Sequence, residues 1–70
     1  MNIKETITAV ASTRGLTITT LSKVTTKSRA NLEGTLRHGN PSLSFLKEMA
    51  DAMKVELAFI DRENGNTYKL

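Results

Sequence analysis

A mostly α-helical fold, a compact bundle of four to five helices that contains a helix-turn-helix and ends in a C-terminal β-strand or hairpin, follows from three features of the sequence. Apolar residues recur at helical spacing as far as Met53. The stretch from Thr17 to Arg37 divides into two short apolar-patterned segments, each preceded by a hydroxyl residue able to cap a helix. From Val55 onward the apolar period changes to two. The chain therefore divides into residues 1–54, a helix-turn-helix domain, and residues 55–70, a β segment for dimerisation or packing.

The first helix is expected from about Ile3 to Arg14. Asn2 and Glu5 are spaced as a capping box, Ile3, Ile7 and Val10 fall at i, i+4 and i+7, and Gly15 is a natural stop. Thr17 caps a second helix carrying Leu21 and Val24, with Leu16 placed as a staple before it. This helix is rich in threonine, whose propensity is mediocre, so packing must hold it. Thr25-Thr26-Lys27 interrupts the pattern, and Ser28 opens a third helix with Leu32 and Leu36 at i, i+4. Gly34 inside that helix costs ~1 kcal/mol relative to alanine, which suggests a close backbone approach to DNA or to a neighbouring helix, or a tolerated weak point. Gly39 ends it, with Arg37 and His38 in the last turn, where positive charge suits the helix dipole.

Asn40-Pro41-Ser42 makes a compact connection, and Ser42 caps a fourth helix from about Leu43 to Met53. Its core stripe is expected to be Leu43, Leu46, Ala50 and Met53, with Met49 adjoining. In the tail, Val55, Leu57 and Phe59 alternate with Glu56, Ala58 and Ile60, and Asn64-Gly65 can turn the chain back through Thr67–Leu70. A lone two-stranded hairpin is rarely stable in water, so this one must pack on the helices or pair with another chain. Val55, Leu57 and Phe59 are the expected dimer interface.

Seventy residues make one domain that buries only about 60% of its unfolded surface, so stability is marginal and a homodimer would add to it. The chain has no cysteine and one histidine, which excludes disulfide staples and zinc-thiolate sites; no metal or other cofactor is expected. An enzyme is disfavoured too, since no Gly-rich phosphate loop or nucleophile–base pair stands out. Met1 to Ala11 lacks the apolar core of a signal peptide and no apolar run reaches the ~18 residues of a membrane span, so a cytoplasmic location is expected.

Charge is unevenly distributed. Residues 1–39 carry six Lys or Arg against two Glu, a net +4, whereas residues 40–70 carry four against five acids, a net −1. The basic half coincides with the two short helices, as a phosphate-facing surface requires, although an ordinary solvated face has the same look.

The run GLTITTLSKVTTKSRANLEGTLR…GNPSLSFLKEMADAMKVEL resembles the Cro/C1-type helix-turn-helix family of phage and bacterial repressors. Its later part is similar to small DNA-binding antitoxins of the HigA-like kind. The resemblance spans roughly residues 3–57 and implies a dimer that binds double-stranded DNA at an operator, with a cognate toxin protein as a second possible partner. Leu21 and Leu32 match packing positions of the two helices, Ser22 the small residue between them, and Ser28, Arg29, Ala30 and Glu33 the start and outer face of the recognition helix. Thr26 in place of the usual turn glycine, Ile18 in place of a polar residue, and the C-terminal strand depart from the pattern.

The apolar pattern of the third helix leaves Arg29, Ala30, Glu33 and Arg37 outward. Arg29 can grip a guanine edge with both arms of its guanidinium, Ala30 can meet a thymine methyl, and Glu33 can accept from cytosine, orient Arg29, or form a plain surface ion pair. Ser28 at the helix start and Asn31, an adenine reader if it faces outward, complete the base-reading candidates. Thr17, Lys27, Arg37, Asn40 and Ser42 are the phosphate-binding candidates, with helix capping the simpler role for Thr17 and Ser42.

Overall fold

The computed structural model describes residues 2–70, and its chain folds into four helices followed by a two-stranded antiparallel hairpin: α1 (Ile3–Thr13), α2 (Ile18–Lys23), α3 (Arg29–His38), α4 (Leu43–Met53), β1 (Ala58–Ile60) and β2 (Thr67–Lys69). Each helix begins at the hydroxyl or amide residue its sequence places there. Asn2 Oδ1 accepts from the Glu5 N–H at 2.8 Å, Ser28 Oγ from the Asn31 N–H at 3.1 Å, and Ser42 Oγ from the Phe45 N–H at 3.2 Å. At α2 the capping box is closed by two threonines. The Thr20 N–H donates to Thr17 Oγ1 at 3.2 Å and the Thr17 N–H to Thr20 Oγ1 at 2.7 Å, so two otherwise orphaned amides are satisfied reciprocally.

Three helices end on left-handed residues. Gly15 and Gly39 take positive φ at no steric cost, but Lys54 at the end of α4 adopts φ 58° with a side chain attached. It does so in a turn closed by the Val55 N–H on Ala50 O at 2.9 Å, the same six-residue closure that the Leu16 N–H makes on Ala11 O after α1.

The core is formed by Ile7 and Ala11 of α1, Leu21 of α2, Leu32 and Leu36 of α3, and Phe45, Met49 and Met53 of α4. Ile3, Val10, Leu16, Ile18, Leu46 and Val55 pack around it. In this arrangement α1 touches the other three helices and α2 touches α3 and α4. Ile18, at the first position of α2, is thus used as packing.

Two apolar positions behave differently from their periodicity. Val24 is 59% exposed because α2 stops at Lys23 and Val24 serves as its C-terminal cap. Leu43 is 50% exposed at the first position of α4, and Phe45 is buried instead, so the inward stripe is Phe45, Met49, Ala50 and Met53. Gly34 is not explained by close helix packing: a Cβ placed there would meet nothing within 4 Å.

The tail also differs. Val55 stands half-buried against the helical core, and the strand begins only at Ala58, with register Ala58↔Lys69, Phe59↔Tyr68 and Ile60↔Thr67. The return is a four-residue loop rather than a two-residue turn at Asn64-Gly65. The Asp61 N–H bonds Asn66 O at 2.8 Å and the Gly65 N–H bonds Asp61 O at 2.8 Å, while Gly65 supplies the positive φ. Neither strand packs against a helix.

Candidate nucleic-acid interface

The α2–turn–α3 unit is organised by three leucines. Leu21 and Leu32 are fully buried and Leu36 nearly so, which fixes the rotation of α3 about its axis. Helical geometry then sends Ser28, Arg29, Ala30 and Asn31 to the exposed side, together with Arg37, and leaves Glu33 half-exposed between them. The base-reading candidates are therefore exposed around the first turn of α3, with Glu33 on the same side as Arg29 and Asn31 on a different one.

Among these candidates two internal contacts limit what is free. Arg29 Nε donates to Glu33 Oε1 at 3.2 Å, an exposed i, i+4 pair that holds the guanidinium along the helix axis. Thr35 Oγ1 donates to Asn31 Oδ1 at 3.4 Å, so Asn31 faces outward but is tethered one turn on. Ser28 spends its hydroxyl as the cap of α3. Arg37, in the last turn, pairs with no acid among the described residues.

The turn between the helices is clamped from α4. Glu48 Oε2 accepts the Thr26 N–H at 2.5 Å and the Thr26 hydroxyl at 2.7 Å, and Oε1 stands 3.9 Å from Lys27 Nζ. These contacts, the backbone N–H of Thr26 first, hold the Glu48 carboxyl below its ordinary value. The clamp gives Thr26 a definite task in the turn: its hydroxyl and amide are both used. It also places a negative charge beside Lys27, so this phosphate candidate stands against a carboxylate already.

Of the remaining phosphate candidates, Thr17 and Ser42 act as helix caps and Asn40 is exposed on the connection into α4. The cations Lys23, Lys27, Arg29 and Arg37 against Glu33 give residues 17–38 a formal charge of +3, which Glu48 reduces at the turn. A second residue that periodicity does not reveal is Arg14. Its Nε donates to Met53 O at 3.1 Å, joining the end of α1 to the end of α4, where a cation also suits the helix dipole. Glu48 and Arg14 act across 22 and 39 residues of sequence, which local patterning cannot foresee.

The three expected interface residues separate. Val55 and Leu57 line an apolar groove of about 270 Å³ between α1 and α4, and Phe59 projects beyond it, 67% exposed. Among the described residues no group of three or more His, Asp or Glu side chains is placed to hold a metal ion, and no helix is long and apolar enough to cross a membrane. Set against protein-family models, curated proteins and solved structures, the chain matches none.

Proposed function

We propose that this chain is a sequence-specific double-stranded-DNA-binding regulator of the Cro/C1 type, a transcriptional repressor that lays α3 in the major groove and works as a homodimer. The observation that carries this reading is the pairing of two capped helices around a clamped turn, with Leu21, Leu32 and Leu36 inward and Arg29, Ala30, Asn31 and Arg37 outward. In the proposed complex Arg29 reads a guanine, with Glu33 setting the direction of its guanidinium, and Ala30 and Asn31 read neighbouring bases. Lys27, Arg37, Asn40 and the starts of α2 and α4 at Thr17 and Ser42 hold the phosphates. Two such helices in a dimer reach successive major grooves, about 34 Å apart along the duplex.

Footprinting on DNA from upstream of its own reading frame, at two salt concentrations, tests this. A protected pair of half-sites one turn apart, with affinity falling steeply with salt, supports it; equal affinity for operator and random DNA refutes it. The exposed apolar hairpin favours a second reading, in which the chain is an interaction module such as an antitoxin that masks a toxin and DNA contact is secondary. Truncation after Met53 separates the two: a shortened chain that keeps its fold and loses only toxin capture assigns the tail to the partner.

A further inference from the structure

Five asparagines occur in the chain, and only Asn64 is followed by glycine. The neighbour matters because the backbone nitrogen of the next residue can attack an asparagine side chain and close a five-membered ring, an approach that a Cβ on that residue obstructs. Asn40 precedes proline, which has no N–H to lose. Asn31 lies within α3, where the next N–H, that of Leu32, is bonded to Ser28 O at 2.9 Å. Asn64 instead stands exposed in the loop that joins β1 to β2.

The closed loop holds both reacting groups. The Gly65 N–H donates across the loop to Asp61 O at 2.8 Å, and Asn64 Oδ1 accepts from the Asn66 N–H at 2.8 Å. The second bond fixes the side-chain amide but also draws electrons from Cγ, so what the loop withholds is the nucleophile. An N–H held in a hydrogen bond gives up its proton only when the bond opens, which is the basis of amide-exchange protection. The helices do little to keep this loop closed. Neither strand contacts one, each strand has three residues, and the Lys69–Glu56 ion pair at 3.2 Å is exposed.

We propose that Asn64 is a site of spontaneous deamidation gated by its own hairpin: separation of β1 from β2, with the helices intact, frees the Gly65 nitrogen to react. That nitrogen loses its proton and bonds to Asn64 Cγ. The bond from Cγ to the side-chain nitrogen breaks, and ammonia leaves carrying the proton. Water then opens the ring at either carbonyl. One opening gives aspartate at position 64; the other gives isoaspartate, in which the main chain runs through the former side chain and is longer by one methylene. Either product lowers the formal charge of +3 by one. Only isoaspartate changes the length of the loop, so that the Gly65 N–H no longer meets Asp61 O and the strands do not close again in register. None of this depends on the DNA reading above.

The test follows the whole chain at neutral pH by peptide mapping, beside the same chain unfolded in urea, with an isoaspartate-specific methyltransferase to tell the two products apart. Deamidation is expected to be fastest at Asn64 and roughly 5–30-fold slower in the folded chain than in urea, as for an opening of marginal cost. The same factor is expected for the exchange protection of the Gly65 amide, far below the protection of the Leu32 amide in the core. Asn64→Asp, with the new charge on an ordinary main chain, is expected to keep the Phe59–Tyr68 contacts in nuclear Overhauser spectra, whereas the purified isoaspartate product loses them. Equal rates in the folded and unfolded chain overturn the proposal by removing the gate. A folded rate slowed as much as exchange of the Leu32 amide overturns it by tying the reaction to global unfolding.

Discussion

The α2–turn–α3 unit and the C-terminal hairpin use their apolar residues in opposite ways. In the first, Leu21, Leu32 and Leu36 are inside and the outer face is charged and amide-bearing. In the second, Phe59, Ile60, Tyr68 and Leu70 are all more than half exposed, and the strands rest on no helix. A unit of the first kind is already stable against water and meets polar partners through what it has left over. A unit of the second kind is completed only by covering, because a hairpin with three residues per strand buries too little by itself. One chain thus carries a polar surface on a rigid support and an apolar one on a light support, and the two suit different partners.

The sharpest way to break that comparison is to truncate one residue in each region. Leu32→Ala removes a fully buried side chain and should cost ~2–5 kcal/mol, enough to unfold much of a domain this small, whereas Phe59→Ala should leave the monomer's urea midpoint nearly unchanged. Similar losses in the two variants would mean the hairpin is part of the core after all. Next in size is the polar face. Arg29→Ala should relax discrimination at one base of each half-site by about 1–3 kcal/mol, while Lys27→Ala should weaken all sequences alike and reduce the salt slope by about one. If Arg29→Ala instead lowers specific and random binding equally, its role is a phosphate contact.

The border between the two regions can be tuned as well. Lys54 holds a left-handed conformation that costs a side-chain-bearing residue roughly 1–2 kcal/mol, so Lys54→Gly should recover part of that and raise the melting temperature by several degrees. An unchanged or lowered melting temperature would show that the lysine side chain compensates. The smallest effect is in pH. Because the Glu48 carboxyl lies below its ordinary value in the fold, its contribution is complete above the ordinary carboxylate range and is lost as pH falls through the depressed value. The protection of the Thr26 amide, measured relative to its intrinsic exchange rate at each pH, should fall over that window, and Glu48→Gln should abolish that fall. Protection that does not change with pH in the wild type would argue against the clamp.

Much of the fold was legible because it is encoded over short distances. Ser28 and Ser42 mark helix starts, Gly15 and Gly39 mark stops, and α4 spans the residues its sequence predicts. The outward positions of Arg29, Ala30 and Arg37 on α3 follow once Leu32 and Leu36 are known to point inward, whereas the direction of Asn31, beside Leu32, was decided by the structure, which leaves it exposed. The inward stripe of α4 was less legible, since Leu43 and Phe45 are both apolar and either can begin a helical repeat; the position of α1 and α2 against the helix decides for Phe45. The hairpin's strands were overextended at Val55 because alternation continues there, although the turn after Met53 returns that residue to the core.

By itself, then, the sequence determined four capped helices, an amphipathic α3 with Arg29 on its polar side, and an alternating tail, because caps, stops and periodicities are interactions between residues at most a few positions apart. Only the tertiary structure decided that Glu48 grips the turn at Thr26, that Arg14 ties α1 to Met53, and that Phe59 and Tyr68 stand uncovered. Those facts depend on which surfaces meet after the chain has collapsed. A hydrogen bond across 22 residues or the absence of a neighbour over a strand has no local signature.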